Sequence, residues 1–183
     1  MSPSYDEIKG EKNSWDERAR SIQDEIELRG PLKNPTKRLN KSRRNIYKIL
    51  KKNGKHNLLL DVGCGNGLFT TPLTALYNFV VGIDLSKTMI KRCQEKKDNL
   101  DFIVASATDL PLRDDVFDAV ISISVLEYIK PKSNVEKVLK EISRVTTKES
   151  FAFLTFWDVS NSPTNFVKNV LKEEKFKIKQ SLV

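Results

Sequence analysis

Five short apolar runs lie along the middle of the chain, and segments whose apolar residues recur at helical spacing separate them. The runs are rich in Leu, Val, Ile and Phe with little alternation, as expected of parallel strands that are covered on both faces. Four of the predicted strands span residues 58–62, 79–84, 100–105 and 151–156, and the run 119–129 contains the remaining strand and the residues that follow its end. The predicted helices between the strands span residues 68–77, 87–97 and 135–145. This order predicts an α/β fold with a doubly wound, mostly parallel sheet and helices on both faces.

Two helical patterns precede the first strand. Residues 14–28 mix charges of both signs around Trp15 and end at Gly30-Pro31, and residues 35–52 form a second pattern that Gly54 ends. Trp15 is expected to anchor its helix to the rest of the protein. We expect one domain over residues 1–183, in which residues 1–55 are an N-terminal helical extension.

The predicted sheet is short at its C-terminal end. Residues 166–175 have a helical pattern, and residues 176–183 alternate like a strand. The sheet therefore has about six strands. Because an open strand edge carries unpaired backbone groups, we expect a homodimer mate or a small partner subunit to help cover this edge.

The composition is that of a soluble globular protein, with 39% apolar and 31% charged residues. No run approaches the length of a membrane span, and the N-terminal sequence lacks the apolar stretch of a signal peptide. We therefore expect a cytoplasmic protein without a membrane partner. Cys64 and Cys93 have no spacing typical of metal ligands or of a redox motif, so no metal site is predicted and both thiols are expected to be reduced and buried or half-buried.

The net charge of +8 is concentrated in one segment. Between Lys33 and Lys55 there are ten basic residues and no acidic one. Phosphates attract clustered cations without base contacts, so this segment is a candidate surface for RNA, DNA or another anionic partner. The alternative is a solvated helix face, which the scarcity of aromatic residues favours, since Tyr47 is the only one in the segment.

The first predicted strand runs into a turn that contains Gly63, Gly65 and Gly67. Glycine accepts positive φ and lets a ligand approach the backbone, and a turn beyond the carboxyl end of a parallel strand is where nucleotide-like ligands bind. A dinucleotide fingerprint that starts at Gly63 would put its last position on the bulky Leu68, so that register fails. Asp84 ends the second strand 19 residues after Gly65, close to the spacing at which an acid meets ribose hydroxyls.

The pattern Asp61-x-Gly63-x-Gly65-x-Gly67 resembles the first motif of the class I S-adenosylmethionine-dependent methyltransferases, and the resemblance continues over residues 58–156. It implies a Rossmann-like fold with the full strand order 3-2-1-4-5-7-6, S-adenosylmethionine as cofactor and S-adenosylhomocysteine as product. The residues that the resemblance places at the cofactor are Asp61, Gly63, Cys64, Gly65, Gly67, Asp84, Leu85, Ser106, Ala107, Thr108 and Ser124.

The resemblance also implies which residues contact the adenine of the cofactor and which contact the methyl acceptor. Leu110-Pro111 fixes the register of the loop after the third strand, so that the family's adenine-binding aspartate falls on Ser106, whose hydroxyl can still accept a hydrogen bond. At the mouth of the fourth strand, Glu127 and Tyr128 are the candidates for a catalytic role. In similar methyltransferases an N-terminal helix lies over the cofactor, which gives Trp15 a second interpretation as part of a lid.

Two functions agree with these patterns. The first is an S-adenosylmethionine-dependent methyltransferase whose acceptor is unidentified and belongs to the small molecules, the RNAs or the proteins. A sulfonium already activates its methyl group, so the enzyme mainly aligns a nucleophile and excludes water, and no catalytic signature is required. The alternative is a non-catalytic module of the same fold that binds the cofactor, RNA or a partner, which the short C-terminal part and the departure at Ser106 favour. Leu68 disfavours a nicotinamide-dependent dehydrogenase.

Overall fold

A computed structural model of the chain describes residues 12, 14–17, 19–20, 35–53, 57–93 and 98–155. The strands of this part of the chain form one sheet in which all neighbours are parallel. They are β1 (Leu58–Val62), β2 (Phe79–Asp84), β3 (Leu100–Val104), β4 (Phe117–Ile123) and β5 (Thr146–Thr155).

The order across the sheet is β3-β2-β1-β4-β5, so the direction of winding reverses between β1 and β4. This confirms the predicted doubly wound parallel sheet and the first five positions of the expected strand order. The predicted helix 166–175 and the predicted sixth strand 176–183 lie outside the described residues. The expected partner at this end of the sheet stays a prediction.

Within the residues described, three α-helices and two short 3₁₀ helices accompany the strands. Residues 14–17 and 19–20 are also helical, as predicted for the start of the 14–28 helix. These six residues are called the N-terminal segment below. The α-helices are α1 (Pro35–Asn53), α2 (Lys87–Arg92) and α3 (Lys132–Val145), and the 3₁₀ helices are Thr71–Ala75 and Leu126–Tyr128.

The two faces of the sheet belong to two hydrophobic clusters. Successive residues of a strand point to opposite faces, so Leu59 enters one cluster and Leu60 the other. Helix α1 covers the Leu59 face through Ile46 and Leu50, and α3 covers the Leu60 face through Val138, Leu139 and Ile142. Apolar side chains that are covered on both faces explain why these strands lack the alternation of a half-exposed sheet.

The predicted helix over residues 68–77 is wrong in type and length, because the chain forms only the 3₁₀ helix Thr71–Ala75 there. Pro72 supplies no N–H, and β-branched threonines are poor helix formers. In addition, the Thr74 hydroxyl donates to the Thr71 carbonyl at 2.8 Å and competes with a regular backbone bond.

The predicted helix 135–145 and strand 151–156 leave residues 146–150 as a connection, but these residues belong to β5. Phe117 pairs with Thr146 and Ala119 with Phe151, so the intervening residues of β5 bulge from the ladder. The Ser150 hydroxyl donates to the Thr147 carbonyl within this bulge. A bulge within β5 therefore follows α3 directly.

Helix α2 ends at Arg92 with Cys93 as its C-cap, and residues 94–97 of the predicted helix lie outside the described residues. None of the helices in the described part of the chain is long and apolar enough to cross a membrane. The cytoplasmic location stays a prediction.

Arg144 near the end of α3 holds the loop that follows β3. Its guanidinium donates to the carbonyls of Leu112 at 2.8 Å and Leu110 at 3.0 Å, and to the carboxylates of Glu141 and Asp114, each at 2.6 Å. The hydrogen bond from Arg144 is the main reason that the pKa of Glu141 lies below its ordinary value. Glu141 in turn accepts from the Leu110 N–H at 2.7 Å. The ion pair of Arg144 and Glu141 therefore binds both the N–H and the carbonyl groups of this loop.

Replacing Arg144 with Ala is expected to lower the free energy of unfolding by about 1–3 kcal/mol, because partly buried carbonyls lose their donor. The arginine side chain is 30% exposed, so water will restore part of the loss. Arg144→Lys is the matched control: it keeps the charge but lacks the planar fork, and should recover only part of the stability. Urea unfolding measures all three proteins, and an Arg144→Ala protein as stable as the original would contradict the role of the clamp.

Candidate cofactor site

The turn after β1 contains three glycines with positive φ, which are +78° at Gly63, +57° at Gly65 and +81° at Gly67. Other residues adopt this conformation at a cost of about 1–2 kcal/mol. A Cβ on Gly63 would lie 2.3 Å from the Val125 side chain, and one on Gly67 would lie 2.8 Å from the Phe102 ring. A Cβ on Gly65 would meet nothing within 4 Å. Gly63 and Gly67 are therefore required by packing, whereas Gly65 borders open space that a ligand can enter.

Asp84 at the carboxyl end of β2 faces this turn. Its Oδ2 accepts from the Gly65 N–H at 2.9 Å, and its Oδ1 accepts from the Ser86 N–H at 2.8 Å. Burial raises the pKa of Asp84, the two backbone bonds partly offset that rise, and the nearby Asp16 adds to it. Each carboxylate oxygen keeps further lone pairs, so Asp84 can accept from two adjacent hydroxyls of a ligand.

Asp61 at the end of β1 and Cys64 within the turn are both buried. The Asp61 side chain is 1% exposed and accepts from the Thr70 hydroxyl at 2.6 Å, so it ties the end of β1 to the start of the 3₁₀ helix. The Cys64 thiol is buried and donates to the Gly65 carbonyl at 3.7 Å. Both residues stabilise the turn through these hydrogen bonds. Their predicted contact with the cofactor stays a prediction.

The loop after β3 lies beside Asp84, because the Ala105 N–H donates to the Asp84 carbonyl at 3.0 Å. Ser106 Oγ accepts from the Thr108 N–H at 3.2 Å, and its hydroxyl lies 2.8 Å from the Thr108 hydroxyl. These bonds close a tight turn around Ala107, which packs against the core cluster of α3. Half-buried Leu85 continues from Asp84 toward α2. The structure thus brings the residues predicted at 84–85 and 106–108 to one corner of the sheet.

The end of β4 borders the same turn from the other side. Ser124 has a φ of +56°, and its N–H donates to the Thr155 carbonyl at 3.0 Å. The next residue is Val125, whose side chain lies over Gly63. Non-glycine residues held at positive φ cluster at functional sites, where surrounding contacts maintain the strain. The ring of Tyr128 is 43% exposed here, whereas both carboxylate oxygens of Glu127 are buried.

The N-terminal segment connects the two sides of the site. The ring of Trp15 meets the ring of Tyr128 edge to face, with centroids 5.1 Å apart and planes at 89°. Asp16, which is 8% exposed, accepts from the Ser86 hydroxyl and from the Thr88 N–H at 3.0 Å. Since β1 lies between β2 and β4, a segment attached to both of their ends passes the glycine turn.

Asp16 and Cys93 were not among the site residues predicted from the sequence. Acidic residues at positions 16 and 17 suit the first turn of their own helix, but Asp16 instead binds the first turn of α2, 70 positions away from its partner Ser86. Burial alone would raise the pKa of Asp16, yet the hydrogen bonds from Ser86 and Thr88 hold that pKa below its ordinary value. Ser86 also accepts from the Met89 N–H as the N-cap of α2.

The sequence and the fold of this chain are similar to those of known proteins. A family described as "Methyltransferase domain" matches residues 60–154. A tRNA (carboxymethyluridine(34)-5-O)-methyltransferase of Arabidopsis thaliana is 32% identical over 61% of this chain and 26% of its own length. A ubiquinone biosynthesis O-methyltransferase of Pelagibacter ubique is 32% identical over 55% of this chain and 42% of its own length. The chain therefore spans less than half of either relative.

A solved structure, that of the PH0226 protein from Pyrococcus horikoshii, superimposes on the fold with a TM-score of 0.60. The two chains are 27% identical, and the match covers 79% of this chain and 63% of the other.

The two kinds of glycine in the turn predict opposite results for substitution by Ala. Gly63→Ala should destabilise the protein by more than about 2 kcal/mol, because overpacking against Val125 adds to the cost of positive φ. Gly65→Ala should cost about 1–2 kcal/mol for the positive φ alone, but it should weaken binding of the predicted cofactor because its methyl group fills the open space. Urea unfolding and titration calorimetry with S-adenosylmethionine measure both quantities. An unchanged affinity of Gly65→Ala would contradict the assignment.

The raised pKa of Asp84 predicts how cofactor affinity depends on pH. An acid with a raised pKa takes up its proton at a higher pH than the ordinary value of 3.8, so the carboxylate is lost as the pH falls through a range above 3.8. Affinity should decrease in that range by about tenfold or more, the equivalent of one hydrogen bond to a charged group. Asp84→Asn should bind weakly without this pH dependence. Circular dichroism verifies folding at each pH, and equal pH dependence in both proteins would refute the role of Asp84.

Proposed function

The chain belongs to the methyltransferase domain family, and on that premise we propose that it transfers the methyl group of S-adenosylmethionine to an acceptor that reaches the end of β4. The contact that carries this proposal is the one between Gly65 and Asp84. It places an open glycine and a carboxylate with spare acceptor capacity side by side at the carboxyl ends of β1 and β2, next to the reversal of the strand order where α/β sheets bind nucleosides.

The residues present fit S-adenosylmethionine. Its ribose offers two adjacent hydroxyls as donors for the Asp84 carboxylate, and Gly65 leaves room that a Cβ would fill. The turn at Ser106, Ala107 and Thr108 would hold the adenine. When it is bound, the cofactor supplies an activated methyl group on a positively charged sulfur.

The protein's own contribution is to bind, orient and exclude water. Bringing two reactants into line replaces a costly encounter by an intramolecular step, and a covered site keeps water from the methyl group. The N-terminal segment supports the lid interpretation of Trp15, since Asp16 attaches the segment near Asp84 and Trp15 attaches it to Tyr128. Tyr128 and Glu127 stay the candidates for contact with the acceptor.

We favour an RNA acceptor, because two independent observations point to it. One is the set of relatives named as tRNA methyltransferases, such as the one of Arabidopsis thaliana. The other is the exposed face of α1. Ile46 and Leu50 are buried on one side of this helix, and the basic residues are exposed on the opposite side, with spacings close to one helical turn. These exposed residues are Lys41, Arg44, Lys48, Lys51 and Lys52.

The transfer itself is tested with S-adenosylmethionine that carries a labelled methyl group. The reduced chain should bind the cofactor in titration calorimetry and should move label into an RNA fraction, and Asp84→Ala should do neither. Label that appears in a small-molecule fraction would keep the methyltransferase and change the acceptor. Binding without transfer to any fraction would favour the non-catalytic module.

The basic face of α1 predicts a steep dependence of RNA binding on salt. Each phosphate contact contributes about 0.7–0.9 to the slope of log affinity against log salt, so Arg44→Ala with Lys48→Ala should lower that slope by about 1.4–1.8. Arg113→Ala with Lys140→Ala removes the same charge from exposed positions away from α1 and is the matched control. Filter binding of bulk tRNA at several salt concentrations gives the slopes. Equal slopes for the two double variants would leave α1 as a solvated helix.

A further inference from the structure

The glycine turn brings together two free thiols that are far apart in the sequence. Cys64 lies within the turn, and Cys93 is the C-cap of α2. The Cys64 sulfur lies 3.7 Å from the Gly65 carbonyl oxygen, and the Cys93 sulfur lies 3.6 Å from the same oxygen. The Cys93 sulfur also lies 3.6 Å from the Met89 carbonyl oxygen. Both sulfurs are thus within one hydrogen-bond length of a single atom of the turn.

We propose that Cys64 and Cys93 form a reversible disulfide that closes the cofactor site when peroxide oxidises the pair. The effect on binding rests on the proposed function, whereas the bond itself can be observed without it. Intracellular disulfides are rare in most organisms, and those that form are mainly catalytic or redox-sensing. We assign this pair to the redox-sensing class.

The environments of the two thiols give them different roles. Cys64 is 6% exposed, and Cys93 is half-buried, so peroxide reaches Cys93 first. Burial, followed by the contact with the Cys93 thiol, raises the pKa of the Cys64 thiol well above its ordinary value. Cys64 therefore stays a protonated thiol that peroxide oxidises poorly. Its proximity to Cys93, and not a high reactivity, places it to resolve an oxidised Cys93.

The chemistry balances with hydrogen peroxide as the oxidant. The Cys93 sulfur attacks one peroxide oxygen, the O–O bond breaks, and a sulfenic acid and one water form. The Cys64 thiol then loses its proton as its sulfur attacks the Cys93 sulfur and the S–S bond forms. The S–O bond breaks, and the hydroxyl group leaves with this proton as the second water. Two electrons pass from the two sulfurs to the peroxide, and a thiol reductant returns them by exchange.

The bond would disturb the contact on which cofactor binding depends. A disulfide requires the sulfurs to approach to about 2.05 Å, so Cys64 must move toward α2. The Cys64 sulfur lies only 3.0 Å from where a Cβ on Gly82 would be, so it is packed against β2 and its movement displaces the turn. The next residue is Gly65, whose N–H donates to Asp84. By reciprocity, bound S-adenosylmethionine should slow formation of the disulfide.

The test treats the reduced chain with hydrogen peroxide and measures its intact mass and its affinity for S-adenosylmethionine. The wild-type protein should lose the mass of two hydrogen atoms and bind the cofactor at least about tenfold more weakly, the equivalent of one lost hydrogen bond to a charged group. Dithiothreitol should restore both mass and affinity. Cys93→Ser should bind with the same affinity before and after peroxide. In Cys64→Ser the sulfenic acid on Cys93 should persist and react with dimedone.

Three results would overturn the proposal. The wild-type protein could form no intramolecular disulfide, it could form one with unchanged affinity, or Cys93→Ser could lose affinity on oxidation to the same extent. A reduced wild-type protein that binds no S-adenosylmethionine would refute the proposed cofactor site and the closing effect together. The mass measurement would still report on the bond, so the two failures are distinguishable.

Discussion

The hydrogen bond from the Gly65 N–H to the Asp84 carboxylate is the contact on which the site depends. It joins the turn after β1 to the end of β2 at 2.9 Å. The same two regions are joined again by the N–H groups of Gly63 and Cys64, which donate to the Ile83 carbonyl at 2.7 Å and 2.9 Å. The turn is therefore held by one neighbouring strand while its middle glycine stays open, which is the arrangement that a nucleoside site requires.

The other parts of the site are arranged around this contact by the strand order. Parallel strands place their carboxyl ends at one edge of the sheet, so the loop after β3 and the end of β4 lie on the two sides of the turn. The N-terminal segment then attaches to both sides, through Asp16 at the start of α2 and through Trp15 at Tyr128. Asp16 also raises the pKa of Asp84. A change in the position of this segment therefore alters the pKa of the carboxylate on which cofactor binding depends.

The sequence was sufficient for the features that depend on local pattern. Continuous apolar runs predicted the five described strands, and the apolar residues at helical spacing predicted α1, α2 and α3. The helix predicted at residues 68–77 failed because Pro72 and the threonines around it favour a 3₁₀ turn. The bulge in β5 could not be predicted, because it is defined by the register against β4 rather than by its own residues.

The features missed in the site are contacts between distant parts of the chain. Asp16 reaches Ser86 across 70 positions, and Cys93 reaches the Gly65 carbonyl across 28. No periodicity or spacing encodes such pairs, since each depends on how two elements pack. The predicted roles of Asp61 and Ser106 toward a cofactor are of the same kind, because packing decides whether a side chain faces the ligand or supports the turn from below, as Asp61 does through Thr70.

The most direct measurement is a crystal structure of the chain with S-adenosylhomocysteine. The account predicts that the Asp84 carboxylate lies within about 3.2 Å of the ribose hydroxyls and that the nucleoside passes over the Cα of Gly65. A nucleoside bound elsewhere, or a ribose whose hydroxyls are both beyond hydrogen-bond distance of Asp84, would contradict it.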